Sequence, residues 1–401
     1  MIVATRSGNR ELRTFGPDTS RGTFSVAGRA WSGEVITDEK ALGLSAIGRA
    51  HRLVCGVVAS LPVFVWEGVG GNKTRRDGTP VARLLAQPVA GMSSFDWRWD
   101  VASALETDEN AFLLKVRDGA GRVVELQPIP NAYVSGSVDK TGNKTFQVWT
   151  PAGLVTMTAL DILHIRGQTT RGGLFGVSRI RQHTDPIGSM VAAQRFEGSY
   201  FRNDARPGLI IETGGERVTV DQANEWVSNW VASHQGPANA GKPTVLGGGW
   251  KATVAPISLH DAQFVEGRQF GVEETGRIMD IDPALLGAPE DGDVRRTALE
   301  LFLKLQLPPR LRRIEAALLA DMDIFRLGDS LYPEFRVDDL MFADPLTRAQ
   351  VQHYRVQDGT ELVDEARADN GRPPLPDGAG QVPQITPVGG APNPSLTTTQ
   401  E

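Results

Sequence analysis

The sequence predicts an α+β fold of more than one unit, and three observations predict it. A hairpin of half-buried strands, residues 111–117 and 122–127 joined by Asp118-Gly119-Ala120-Gly121, stands among further short strands up to Arg166. Helical spacing appears on both sides of it, first at Leu44, Ile47, His51, Val54, Val58 and Leu61. Residues 278–315 then carry a mechanical arrangement: a helix, a broken loop, and a long amphipathic helix interrupted by Pro308-Pro309. Proline removes a backbone donor and clashes with the preceding turn, so this pair must bend or split the helix at a fixed place.

At 401 residues the chain is long enough for two or three cores, at roughly 100 to 200 residues per domain. Hydrophobic residues at 40% and charged residues at 22% are ordinary for a globular protein, and the single Cys55 excludes a disulfide framework. The apolar run 53–66 is broken by Gly56 and Pro62 and falls short of the ~18 residues a membrane span needs. Met1 to Arg6 lacks the basic start and apolar core of a secretory signal, so the chain is expected to stay in the cell that makes it. With 42 Lys+Arg against 48 Asp+Glu, the net charge is -6. Sequence-specific DNA binders draw most of their affinity from phosphate neutralisation, and this balance argues against one. It remains compatible with a conduit, whose wall must not grip the polymer it passes.

Residues 1–35 are rich in Gly, Ser, Thr and Arg without periodicity and read as a mobile arm, extending to about residue 40. The helix from Ala41 stops at Pro62, and residues 63–66 read as a strand. A short helix follows at 80–86, then one capped by Ser93 or Ser94 and carrying Phe95, Trp97, Trp99 and Leu105. Asp185-Pro186 reads as cap and first turn of a helix through Tyr200. Residues 208–260 read strand, helix (220–234), strand (244–246), glycine turn, strand (250–257). So small an insert buries little surface alone, and its Trp226, Trp230 and Trp250 are expected to meet another copy of the chain. The helix at 261–280 contains Gly267, Gly271 and Gly276, which leaves open a segmented helix or close approach of another backbone. A strand near 334–337, short helices at 344–357 and 360–368, and a Pro/Gly/Thr-rich disordered tail at 376–401 complete the chain.

Catalytic chemistry finds little footing. Gly236-Pro237-Ala238-Asn239-Ala240-Gly241-Lys242 has the spacing of a phosphate-binding loop, but Pro243 offers neither the hydroxyl for magnesium nor an amide hydrogen. His51, His164, His183, His234, His260 and His353 show no paired metal spacing and read as structural or surface residues. Glu290-Asp291-Gly292-Asp293 lacks the ligand series of a calcium loop and reads as a solvated acidic turn. The pairs Asp321/Asp323 and Asp338/Asp339 read as helix-end and turn caps. Arg295, Arg296 and Lys304, with Arg310, Arg312 and Arg313 beyond the kink, form the one local basic concentration. Arg295 and Arg296, beside the broken loop, and Lys304 read as DNA-facing, and Arg310 to Arg313 as a solvated basic face.

An ordered series of segments resembles the portal proteins of tailed double-stranded DNA bacteriophages, from about Ala41 to Gly378. The series comprises Pro80-Val81-Ala82-Arg83-Leu84-Leu85, Ile162-Leu163-His164-Ile165, and Gly176-Val177-Ser178-Arg179-Ile180 with Arg179 where the family carries proline. Further along come Phe201 to Gly208 with Asp204 in place of glycine, Glu300 to Glu315, and Asp358 to Arg367. The resemblance implies a portal-protein fold: a wing at 41–177 with a return at 323–343, stem helices at 178–205 and 261–280, and a clip at 206–260. A tunnel loop with kinked helix would span 281–322, the loop itself ending near 297, and a short crown 344–375. It implies a non-enzymatic subunit of a dodecameric ring, without cofactor, metal or catalytic residues, and no association with membrane. Its implied place is the virion, at one capsid vertex, after synthesis in the bacterial host cytoplasm. Double-stranded DNA would pass through without sequence preference, and the implied partners are terminase large subunit, head-tail adaptor and major capsid protein. The competing reading is a nucleic-acid enzyme or ATPase using the Gly236 to Lys242 segment.

Overall fold

Two small antiparallel hairpins open the chain, Ile2–Ala4 (β1) with Arg10–Leu12 (β2) and Gly28–Arg29 (β3) with Val35–Ile36 (β4), the second lying inside the expected arm. The computed structural model describes residues 2–4, 10–12, 28–68, 73–138, 143–169, 175–202, 209–212, 218–234, 251–254, 260–288, 291–326, 330–337, 345–370 and 372–383. The single early helix expected from periodicity is two. Asp38–Gly43 (α1) and Ser45–Ser60 (α2) are divided by Leu44 in an extended conformation. Thr37 caps the first, and the second buries Ile47, Ala50, His51, Val54, Cys55 and Val58 along one stripe.

Pro80–Ala86 (α3), capped by Thr79, and Ser94–Asp108 (α4), capped by Ser93, follow the expected positions closely. Helix α4 packs on α2, and its buried Trp97 donates from Nε1 to the Leu126 carbonyl at 2.7 Å. Val63–Glu67 (β5) pairs with Thr74–Arg75 (β6). Asn110–Arg117 (β7) and Val123–Ile129 (β8) form the expected hairpin. Val134–Val138 (β9), Lys144–Thr150 (β10) and Gly153–Thr158 (β11) make a second three-stranded antiparallel sheet, and Ile162–Arg166 (β12) returns to β7. Phe112, Leu114, Val116, Ile129, Val134, Phe146, Val148 and Ile162 fuse the two sheets into one core. His164 sits against it, stacked on Phe112, its ring nitrogens bonded to Asn110 Oδ1 at 2.9 Å and Lys144 Nζ at 3.1 Å. Burial first, then Lys144 and Arg166, pull its pKa down to about 3, so the ring is neutral and structural.

Arg179–Gln182 (α5), capped by Ser178, precedes Thr184–Arg202 (α6), so a short helix stands before the one expected at Asp185. Leu209–Glu212 (β13) and Lys251–Val254 (β14) pair around Val220–His234 (α7). The expected strand 244–246, the phosphate-loop mimic and Trp250 lie outside the described residues. His260–Met279 (α8) is unbroken despite its three glycines. A Cβ on Gly276 would lie 2.8 Å from the Ile281 carbonyl oxygen, so close backbone approach accounts for that one.

Pro283–Leu286 (α9), Gly292–Leu301 (α10) and Leu307–Ala320 (α11) come next, and Leu331–Phe335 (β15) pairs back onto β5. Asp321 and Asp323 do more than cap: both hold the ammonium of Lys115, each at 2.8 Å, and that side chain is 1% exposed. Asp338 and Asp339 lie outside the described residues. A second unit, residues 336–401, contains Pro345–Gln357 (α12) and Val363–Asp369 (α13). Pro376–Gln381 is a short 3-10 turn, so the expected tail starts with local structure.

Candidate functional site

The broken helix is built from its backbone arithmetic. Asp280, at φ 52, ends α8, and Asp282 caps α9 by accepting from the Ala284 amide at 2.9 Å with Pro283 in the first turn. Gly287, at φ 105, stops α9 in a conformation that only glycine adopts freely. Helix α10 then begins at Gly292, five residues before the expected end of the loop at 297. A capped four-residue helix therefore occupies the start of what sequence alone presented as open loop.

Pro308 and Pro309 cannot donate to the carbonyls four residues back, those of Lys304 and Leu305. The chain answers by widening: Phe302–Gln306 forms a π-helical turn, with the Leu307 amide reaching back five residues to the Phe302 carbonyl. Phe302 fills the core beneath the turn and is fully buried, and Ala298 anchors the preceding turn. The remaining surface of α10 is open. Val294, Leu299, Leu301 and Leu305 are exposed apolar residues, the last at 66%.

Arg295 and Arg296 lie on the first turns of α10, both exposed, and Lys304 lies within the π turn, about 12 Å further along at roughly 1.5 Å per residue. They do not form one cluster. Asp293, Arg296, Glu300 and Lys304 instead recur at three- and four-residue steps as a stripe of alternating sign. Asp293 and Arg296 are 3.8 Å apart and Glu300 and Lys304 3.2 Å apart, all well exposed. Such pairs contribute little to stability and are easily exchanged for other counter-charges.

Beneath this surface lies a charged socket that sequence reasoning missed. Arg310 is not on a solvated face: its side chain is 8% exposed and donates to Glu106 at 2.9 Å, the Gln306 carbonyl at 2.7 Å and the Met279 carbonyl at 2.7 Å. Arg179 donates to Glu109 at 2.7 Å and to the same Met279 carbonyl at 3.0 Å, and Arg313 reaches Glu109 at 3.3 Å. Burial opposes the charge on Arg179, but Glu106 and Glu109 outweigh it and raise its pKa above the usual guanidinium value. Two guanidiniums thus satisfy the carbonyl end of α8, where the helix dipole favours cations. Only Arg312, 72% exposed and paired with Glu315, fits the solvated reading. One signal was available in the sequence, an arginine at 179 where the resembling family carries proline.

Trp226 and Trp230 stack at 5.2 Å between ring centroids with both rings half-buried on α7. Among the described residues no group of three or more His, Cys, Asp and Glu side chains is placed to hold a metal ion, and no helix is long and apolar enough to cross a membrane.

The family model described as phage portal protein matches residues 45–371. A probable portal protein of Streptomyces phage phiC31 is 29% identical, over 89% of this chain and 81% of its own length. The portal protein of Enterobacteria phage HK97 is 27% identical over 90% and 87%. Among solved structures, a chain from the neck of a native gene transfer agent particle computed with C12 symmetry has a TM-score of 0.58 at 19% identity, covering 91% of this chain and 96% of that one. An HK97 family phage portal protein from Corynebacterium diphtheriae has a TM-score of 0.59 at 18% identity, over 78% and 100%.

Proposed function

The chain belongs to the phage portal protein family, and from that premise we propose that it is the subunit of a dodecameric ring at one capsid vertex, the channel for genome packaging, retention and ejection. The observation that carries this reading is the family match over residues 45–371, which takes in both sheets, the α6–α8 pair, the broken helix and α12. In this reading residues 41–177 with 323–343 form the wing, 178–205 and 261–280 the stem, 206–260 the clip, 281–322 the tunnel loop and kinked helix, and 344–375 the crown. The ring docks terminase during packaging and the head-tail adaptor afterward, with major capsid protein around it. Helix α10 faces the axis. Its alternating charges give DNA phosphates weak, salt-screened contacts that make and break as the duplex slides.

Particles assembled with and without the chain test the proposal. Capsids lacking it should contain no genome, and supplying it in trans should restore packaging. Full-length genomes protected from nuclease in particles that lack the chain would contradict it.

A further inference from the structure

The β3–β4 hairpin lies along α6. Its Trp31 amide donates to Asp185 Oδ1 at 2.9 Å, a Cβ on Gly188 would fall 2.2 Å from the Ala30 Cβ, and Glu34 pairs with Arg195. Helix α6 turns its other side to α8, where Met190 lies against Gly271 and Glu197 pairs with Arg268. Asp185 and Gly188 stand about 160° around α6 from Met190 and Glu197, taking about 100° per residue. Gln269, Val272, Glu273 and Gly276, centred about 120° around α8 from its α6-facing side, line a groove of about 750 Å³ that Arg268 borders on the α6 side and that α9 and α10 complete. Hairpin, α6, α8 and groove therefore form one row, with the hairpin and the groove at its two ends.

The ends also match in level. Helices α6 and α8 run antiparallel, so Asp185, five residues before Met190, lies level with Gly276, five residues after Gly271. Trp31 at the hairpin tip is 93% exposed, the most exposed large apolar side chain among the described residues. Tryptophan combines a large apolar area with a polar N–H and is enriched among the residues that dominate interface energetics. A cyclic assembly needs two different, complementary surfaces on opposite flanks of the subunit. We propose that Trp31 of one copy docks into the α8–α9–α10 groove of the next, the indole seated beside Gly276 within reach of the Arg277 guanidinium. The occupant is a second copy of this chain because both halves of the contact are present on one molecule at one level. The inference rests on the ring reading above.

Full-length chain carrying Arg29→Cys and Glu273→Cys tests it, since both positions are exposed and Cys55 is buried. Mild oxidation should give a ladder of covalent oligomers on a non-reducing denaturing gel, while either single variant gives none beyond dimer. Trp31→Ala should raise the concentration at which rings form by on the order of thirtyfold, as expected for a central interface tryptophan. Rings of the double-cysteine variant that yield no ladder, with Trp31→Ala closing normally, would overturn the contact and leave Trp31 to a different partner. If the wild-type chain itself forms no rings, the ring reading fails and this contact with it.

Discussion

At the scale of single residues the charged socket decides how the broken helix is held. Arg310 joins α4, the end of α8 and the π turn through three acceptors, while Arg312, two positions on, meets only Glu315. Removing one partner of a buried pair strands the other, so Arg310→Met should cost about 3 to 5 kcal/mol. Arg312→Ala should change stability by no more than about 0.5 kcal/mol. Urea unfolding of the two variants separates them, and equal effects would show that the socket contributes nothing beyond a surface pair. A second residue sets a pH dependence. Burial, and after it Asp38, pushes the Asp108 carboxyl up to about 7. The unfolded carboxyl ionises near 3.9, so folding is unpenalised below about pH 4, and the penalty grows until the folded group also ionises near 7. Asp108→Asn removes it: the variant should match the wild type at pH 4 and be more stable by about 2 to 4 kcal/mol at pH 8. A stability difference that does not change with pH would contradict that assignment.

At the scale of elements, the broken helix shows what the sequence conveyed and what it could not. The double proline announced an interruption because the missing donors are a property of those residues alone. That the interruption would be a π turn depended on Phe302 keeping its place in the core and on Arg310 taking up the Gln306 carbonyl, both set by distant elements. Periodicity located α3, α4, α7 and α8 closely, yet missed the division of α1 from α2, where Leu44 satisfies the pattern while its backbone leaves the helix. The buried Arg310 read as solvated because periodicity says which face a residue shares, not whether a carboxylate from residue 106 waits there. Arg295 and Arg296 lie on open helix surface, where substitution perturbs folding by no more than about 0.5 kcal/mol. Arg295→Glu with Arg296→Glu should therefore leave the melting temperature and ring assembly unchanged while impairing DNA translocation or retention. Particles of that double variant filled with stably retained, full-length genomes would remove α10 from the DNA path.

At the scale of the whole molecule, the proposed ring would place contacts between copies at the small β13–α7–β14 insert. The Trp226–Trp230 stack on α7 is half-buried within the chain, and the proposed ring would cover the remainder of its aromatic surface with a neighbouring copy. Deletion of residues 208–258 should abolish rings while leaving the β7–β12 core folded, read as retained protease resistance of the wing. Closed rings from the deletion variant would move assembly away from this insert. The central claim is a closed ring with α10 at its axis, and electron microscopy of the purified full-length chain tests it most directly. Closed rings of twelve copies are expected, with α10 nearest the ring axis and the β7–β12 sheets outermost. Monomers, open arcs, or rings that turn α10 to their outer surface would contradict it.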